Sequence, residues 1–436
     1  EQDPKIWIGA LEASIGKIRQ SVSEFRDLSG ICVSGHMHGA TLLDNQGHVL
    51  RPCILWNDQR SEEEARELDN DPKFREISGN IVFPGFTAPK LNWVSKHEPE
   101  IFAKIAKVLL PTSFLNHYLT GEFVSDFSDC SGTSWLDVGQ REWSLDLLKS
   151  SNLRHGQMPN VIHGCEVAGT LRIDLARKWG VGQNVIVAGG AGDNAAAACG
   201  MGVLNDGQAF VSLGTSGVVL IAREKYSPLP ETAIHTFCHA VPNRWYQMGV
   251  MLSATDSLNW LSCLIGLSPS ALTAKLPYTL QRPNMVRFMP YMSGERTPHN
   301  DAKVRGGFLN LSLKSDAKDL IQAVLEGVSF ALRDCLAALQ QAGATPDAIF
   351  ALGGGTRSDY WLELLATVLN TKLLIPDKGD FGPALGAARL ARIAATNENL
   401  VTVLTPPVIS REIDPNTGLV EVFNSAYFDF QNSFQN

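Results

Sequence analysis

The sequence predicts an α/β protein of two domains, and three observations carry that prediction. Strand-like and helix-like segments alternate along nearly the whole chain. The run NVIVAGG at residues 184–190 is apolar after Asn184, as a buried strand requires. A chain of 436 residues can bury more than one core. Two domains imply a cleft between them.

The opening segment places Leu11, Ile15, Ile18, Val22 and Phe25 at the spacing of one helical face. A strand follows at 30–35 (GICVSG), then a hairpin over 41–52 around Asn45, Gln46 and Gly47. Residues 61–70 (SEEEARELDN) read as a helix with Ser61 as N-cap. After the strand at 184–190, two β-rich runs over 209–222 meet at Gly214, Thr215, Ser216 and Gly217. The longest helix runs from near Ser315 to about Ala342, with Gly343 as its stop. A strand at 349–354, a helix at 358–370, a strand at 372–376 and a helix at 383–395 complete the pattern. The stretch from Leu204 to Gln208 is the expected hinge, which divides the chain into domains 1–205 and 206–436. The tail after Ser410 is polar and less periodic, and it is assigned no role.

Charge narrows the function. With 37 Lys and Arg against 45 Asp and Glu, the net charge of −8 offers no basic footprint for nucleic acid or an anionic membrane. The expected partners are small molecules. Eight cysteines without a C-x-x-C pair argue against a zinc site or a secreted disulfide framework and point to reduced, mostly buried thiols in the cytoplasm. No apolar run reaches the ~18 residues of a membrane span, and the start EQDPKIW has neither the basic region nor the apolar core of a signal peptide.

In VAGGAGDNAAAACGMG, residues 187–202, Asp193 is the one charged side chain among small neighbours. An Asp in a glycine-rich turn is ordinarily a cap, but a carboxylate at the end of a parallel strand also faces the crevice where α/β proteins bind ligands. Gly190, Gly192 and Ala195 imitate a dinucleotide fingerprint. Against that stand the charge of Asp193, a helix expected to break at Gly200, and Asp206, which precedes a strand instead of ending one. Gly214, Thr215 and Ser216 form a turn whose N–H groups and hydroxyls could hold a phosphoryl group, or a plain hairpin turn. Gly353, Gly354 and Gly355 precede a helix capped by Ser358, and amides at a helix N-terminus attract phosphate. Two such turns flanking one isolated carboxylate suggest phosphoryl transfer. Met37, His38, Trp56, Asn57 and Asp58 lie at strand ends and mix apolar with hydrogen-bonding groups, as a sugar site does; each can equally be a core residue. Glu295 and Arg296 read as an ion pair.

These segments together resemble the FGGY carbohydrate kinases over nearly the whole chain. GFTAPKLNWVSKH (85–97) is similar to the family's first pattern, and LGGGTRSDYWLELLATVLN through GPALGAARLA (352–391) to its second. SGHMHG, GGAGDNAA, VSLGTSG and YMSGERTPHN match further family segments. The resemblance implies two actin-like, ribonuclease H-like ATPase domains around a cleft. It also implies ATP, Mg²⁺, a homodimer, and transfer of the γ-phosphoryl group to D-xylulose, with the metal ligands left unassigned. By motif, Asp193 is the general base; Met37, His38, Asp193 and Asn194 contact the sugar; Gly214, Thr215 and Ser216 face the phosphates; Gly354, Gly355 and Asp359 face the nucleotide. Relatives of this kind begin with a strand, hairpin and strand carrying D-x-G-T. The sequence given therefore resembles a member lacking roughly its first 40 residues, the length such a hairpin and its turns need. His36 stands in place of an expected Gln, and Thr112 and Ser113 in place of an expected Lys-Asp pair. Another FGGY specificity (ribulose, gluconate, glycerol) and a sugar-binding module without catalysis are the alternatives.

Overall fold

The computed structural model describes residues 1–377 and 382–434. Residues 378–381, inside the second family-like stretch, and 435–436, at the end of the expected second domain, lie outside the described residues.

The largest sheet has seven strands in the order His235–Cys238, Trp245–Met251, Gly217–Arg223, Ala209–Leu213, Ala348–Leu352, Lys372–Pro376 and Ile409–Ile413. The runs over 209–222 form an antiparallel pair with Leu213 opposite Gly217, so residues 214–216 are a hairpin turn. Ala209–Leu213 is parallel to Ala348–Leu352, which is in turn parallel to Lys372–Pro376. Parallel neighbours end on the same side of a sheet, which brings the two glycine turns together. A Cβ on Gly353 would stand 2.5 Å from the Leu213 carbonyl oxygen, and Gly353 has a φ of +91°. The long helix is Ala317–Gln341, started by a capping box between Asp316 and Asp319 and stopped before Gly343 at φ +83°.

The first half is built from shorter strands. Gly30–Ile31 runs parallel to Ile186–Ala188 and, beyond Cys32 and Val33, Ser34–Gly35 runs parallel to Ala191–Gly192. Both of these paired segments deliver loops or helix starts at their carboxyl ends: His36 to His38 from one, Asp193 and Asn194 from the other.

Three expectations need correction. The helix after Gly192 does not break at Gly200; it spans Asp193–Met201 and ends at Gly202, whose φ is +64°. Gly200 costs about 1 kcal/mol of helix propensity relative to Ala, and packing outweighs it. The helix crosses Pro383–Thr396 so closely that a Cβ on Gly386 would lie 1.8 Å from the Ala196 oxygen and 2.9 Å from the Gly200 nitrogen. The tail after Ser410 is structured: Ile409–Ile413 is the last strand of the sheet, and helix Val420–Phe434 buries Phe423, Ala426, Tyr427 and Phe430, with the Tyr427 hydroxyl donating to Asp334 at 2.5 Å. The opening helix exists as Pro4–Ser21, but its stripe is only partly covered. Leu11, Ile15 and Phe25 pack around Val33, Leu175 and Val187, whereas Ile18 and Val22 line an apolar groove of about 1230 Å³ with Ile31, Ala387 and Ala391.

At the expected hinge, Gln208 Oε1 accepts from the Leu204 and Asn205 amides at 2.9 and 2.8 Å, and Asp206 pairs with Arg223 at 3.0 Å. All eight cysteines are free; Cys263 is exposed, Cys32 half-buried and the other six buried. Among the described residues no helix is long and apolar enough to cross a membrane.

Candidate active site

Asp193 opens its helix as the first helical residue, with Gly192 in the cap position. Its carboxylate therefore does not cap the helix in the usual sense. Oδ1 accepts from the Asn194 amide at 2.7 Å and from Asn194 Nδ2 at 3.0 Å, while among the described residues Oδ2 has no hydrogen-bond donor. Burial pushes the Asp193 carboxyl above its ordinary value, against the two Asn194 bonds that favour the charged form.

Met37 and His38 lie beside it because their strand pairs with the strand that ends at Gly192. A Cβ on Gly192 would be 2.8 Å from Met37 Cγ, so glycine is what lets the two segments close. His38 sits at φ +71°, stacks on Phe86 with centroids 4.5 Å apart, and places Nδ1 2.8 Å from the Gly132 oxygen. A carbonyl partner fixes the proton on Nδ1 and leaves Nε2 as an acceptor. Burial holds this imidazole well below its ordinary pKa and so neutral.

Two more carboxyls stand behind Asp193. Asp126 accepts from the Ser128 amide at 2.7 Å and is pushed by burial up to about 7. Asp129, fully buried, accepts from the Thr112 hydroxyl and is pushed well up by burial and by Asp126. This accounts for Thr112 on physical grounds; the Ser113 hydroxyl accepts from the Leu110 amide at 2.8 Å and lies 3.0 Å from the Leu110 carbonyl oxygen. From the seven-stranded sheet, Tyr246 points its hydroxyl at Met37 Sδ, 3.9 Å away.

The glycine turns form the second part. The turn at Gly354 and Gly355 borders a cavity of about 330 Å³ lined also by Thr255, Leu258, Asn259, Pro269, Ser270, Thr273, Arg357, Ser358 and Trp361. Among the described residues no carboxylate lines it, and none lies within 4 Å of the place a Gly354 Cβ would occupy. Neutral donors, one cation and an approachable backbone suit a phosphate-bearing ligand. The 214–216 turn is tied to the wall of this cavity, since the Thr255 amide and hydroxyl both donate to the Gly214 oxygen, at 2.9 and 2.8 Å.

The structure thus groups Met37, His38, Asp193 and Asn194 at one place and Gly214, Thr215, Ser216, Gly354 and Gly355 at another. Asp359 belongs to neither: it is exposed and pairs with Arg411 at 2.8 Å. Asp58 is taken by Arg60. The expected ion pair of Glu295 and Arg296 does not form. Glu295 Oε1 accepts from the Leu252 and Arg296 amides, and the Arg296 guanidinium lies 5.7 Å from the Phe83 ring centre. Sequence reasoning missed Phe86, Gly132, Asp126, Asp129 and Tyr246; only Phe86, inside the first family-like stretch, carried a local signal.

Comparison with known proteins identifies the family. Residues 1–200 match the model of the FGGY family of carbohydrate kinases, N-terminal domain, and residues 209–395 that of its C-terminal domain. The chain is 47% identical over 408 residues to a xylulose kinase of Escherichia coli, covering 93% of this chain and 84% of that protein. It is 45% identical over 400 residues to a xylulose kinase of Klebsiella pneumoniae, covering 91% and 82%. A crystal structure described as a xyloylose kinase from Brucella ovis superimposes with a TM-score of 0.97 at 54% identity, covering 100% of this chain and 90% of that one. With both family domains matched and such similarity over most of its length, the chain belongs to the FGGY family of carbohydrate kinases.

Proposed function

We propose that the protein transfers the γ-phosphoryl group of ATP to D-xylulose, giving D-xylulose 5-phosphate and ADP, with Asp193 as general base. The observation that carries this reading is the free Oδ2 of Asp193 beside Met37 and His38. A sugar hydroxyl is a poor nucleophile at neutral pH. A carboxylate oxygen within hydrogen-bond reach accepts its proton as the oxygen–phosphorus bond forms and the bond to the ADP oxygen breaks. Asn194 holds the other oxygen, so the free one faces a fixed direction. His38 Nε2 accepts from a second sugar hydroxyl, and Met37 offers an apolar face.

ATP is the second substrate, its phosphates directed to the amides of Gly214, Thr215, Ser216, Gly354 and Gly355. Among the described residues no group of three or more His, Cys, Asp or Glu side chains could hold a metal ion. A Mg²⁺ bound together with ATP would be held mainly by phosphate oxygens and water. Such an ion spreads the charge that develops during transfer. The reading is completed by a cytoplasmic homodimer, with a division of the chain near residue 205.

The preference for D-xylulose is supported by the identity with xylulose kinases over most of the chain. ADP release measured with D-xylulose, ribulose, gluconate and glycerol tests it. D-xylulose is expected to give the highest kcat/KM; a higher value for another acceptor overturns the specificity, and sugar binding without ADP release overturns the kinase reading.

A further inference from the structure

Lys90 is fully buried, in the first turn of helix Thr87–His97. Among the described residues its Nζ forms no ion pair and one hydrogen bond, to the His38 carbonyl oxygen at 2.9 Å. The Thr87 hydroxyl, equally buried, donates to the same oxygen at 3.2 Å. Two buried donors from one helical turn therefore converge on the carbonyl of a single residue, and that residue is a non-glycine at φ +71°. Left-handed backbone is unfavourable for a residue that bears a side chain, so it persists only where neighbours hold it. An amine buried without a carboxylate partner is also unfavourable; for packing alone an apolar chain would serve better. Burial pushes Lys90 down to about 7, with Cys53 and Asp58 opposing and Arg296 adding to the effect.

The consequence lies at the imidazole. With the His38 carbonyl fixed behind it, Nδ1 directed to Gly132 and the ring on Phe86, the side chain has one free polar atom, Nε2. We propose that Lys90, assisted by Thr87, is a positioning residue for sugar recognition: it locks the His38 backbone in the conformation that aims Nε2 at the substrate. The inference rests on the reading of His38 as a sugar ligand.

The experiment is a double-mutant cycle on steady-state kinetics with D-xylulose and ATP, using Lys90→Met, His38→Ala and the pair together. Loss of one hydrogen bond from a buried amine, neutral or charged, predicts a rise in sugar KM of roughly 3- to 100-fold in Lys90→Met, with kcat reduced less than KM is raised and ATP KM unmoved. The double variant should be no worse than His38→Ala alone. Multiplying effects, or a parallel loss in ATP KM, would overturn the proposal by making Lys90 a general structural residue. If His38→Ala leaves sugar KM unchanged, the reading of His38 fails first and the positioning role falls with it. Should Lys90→Met not fold, Thr87→Val, which removes only the weaker donor, is expected to raise sugar KM by about threefold and to add nothing to His38→Ala; effects of Thr87→Val and His38→Ala that multiply would overturn the proposal.

Discussion

The proposed sugar end and the proposed nucleotide end of this molecule use opposite materials. Around Asp193 the work falls to side chains: a neutral imidazole, three carboxyls raised by burial, a thioether and a phenol, nearly all out of water. Around Gly214 and Gly354 it falls to the backbone, on turns that are largely open to solvent. The difference teaches where each end is vulnerable. Deleting side-chain atoms should damage the first, and adding a single carbon should damage the second.

The largest expected effect is at Asp193. Asp193→Asn keeps the size and the bond to the neighbouring amide but cannot accept a proton, so kcat should fall by about 10²- to 10⁴-fold, or about 3–5 kcal/mol of barrier, with little change in sugar KM. Steady-state kinetics check it, and a fall of less than about tenfold would return Asp193 to a structural role. The same carboxylate sets the acid side of the pH profile. It must be ionised to act, and burial raises its pKa, so kcat should be lost as pH falls through a value above the ordinary 3.8. An acid limb at or below that value would contradict the buried base.

At the other end the next effect comes from an addition. Gly353→Ala places a Cβ against the Leu213 oxygen at positive φ, and strain of about 1–3 kcal/mol predicts a lower melting temperature and a rise of roughly 5- to 100-fold in ATP KM. Sugar affinity, measured by titration without ATP, should hold. Side-chain removal at the same end should matter less. Thr215→Ala forfeits at most one neutral hydrogen bond, about 0.5–1.5 kcal/mol, so kcat/KM for ATP should fall by roughly two- to twelvefold. The smallest effect on stability belongs to Gly354→Ala. Its methyl group would meet no atom, so the melting temperature should stay within about 1 °C while ATP KM rises because the phosphate approach is narrowed. Unchanged ATP kinetics there would remove Gly354 from the nucleotide site.

This contrast also explains what could be read from the chain alone. The two glycine turns and Asp193 are contiguous motifs whose local chemistry is visible, and the strands and helices that carry them have clear periods. Tyr246 was invisible: it belongs to an ordinary strand, and only the pairing order of the seven strands brings it to Met37. Asp126 and Asp129 read as unremarkable acids because burial, which raises them, is a tertiary property. Gly200 misled because helix propensity was weighed without the neighbouring helix, which packs on this one through Gly386. The tail misled for the converse reason: Phe423, Tyr427 and Phe430 lie among enough polar residues to hide a buried face. Asp359 has a partner that its motif does not disclose, Arg411, distant in sequence.

One exposed thiol has a practical consequence for optical measurement. Cys263 is the exposed cysteine, on helix Thr255–Ile265, and the same helix supplies Thr255, Leu258 and Asn259 to the wall of the nucleotide cavity. The six buried cysteines are shielded from reagents, and half-buried Cys32 is further protected because burial raises its pKa and keeps the reactive thiolate scarce. A maleimide dye should therefore attach at one place on the unmodified protein, giving a fluorescent reporter on a helix that contributes to the cavity proposed for ATP.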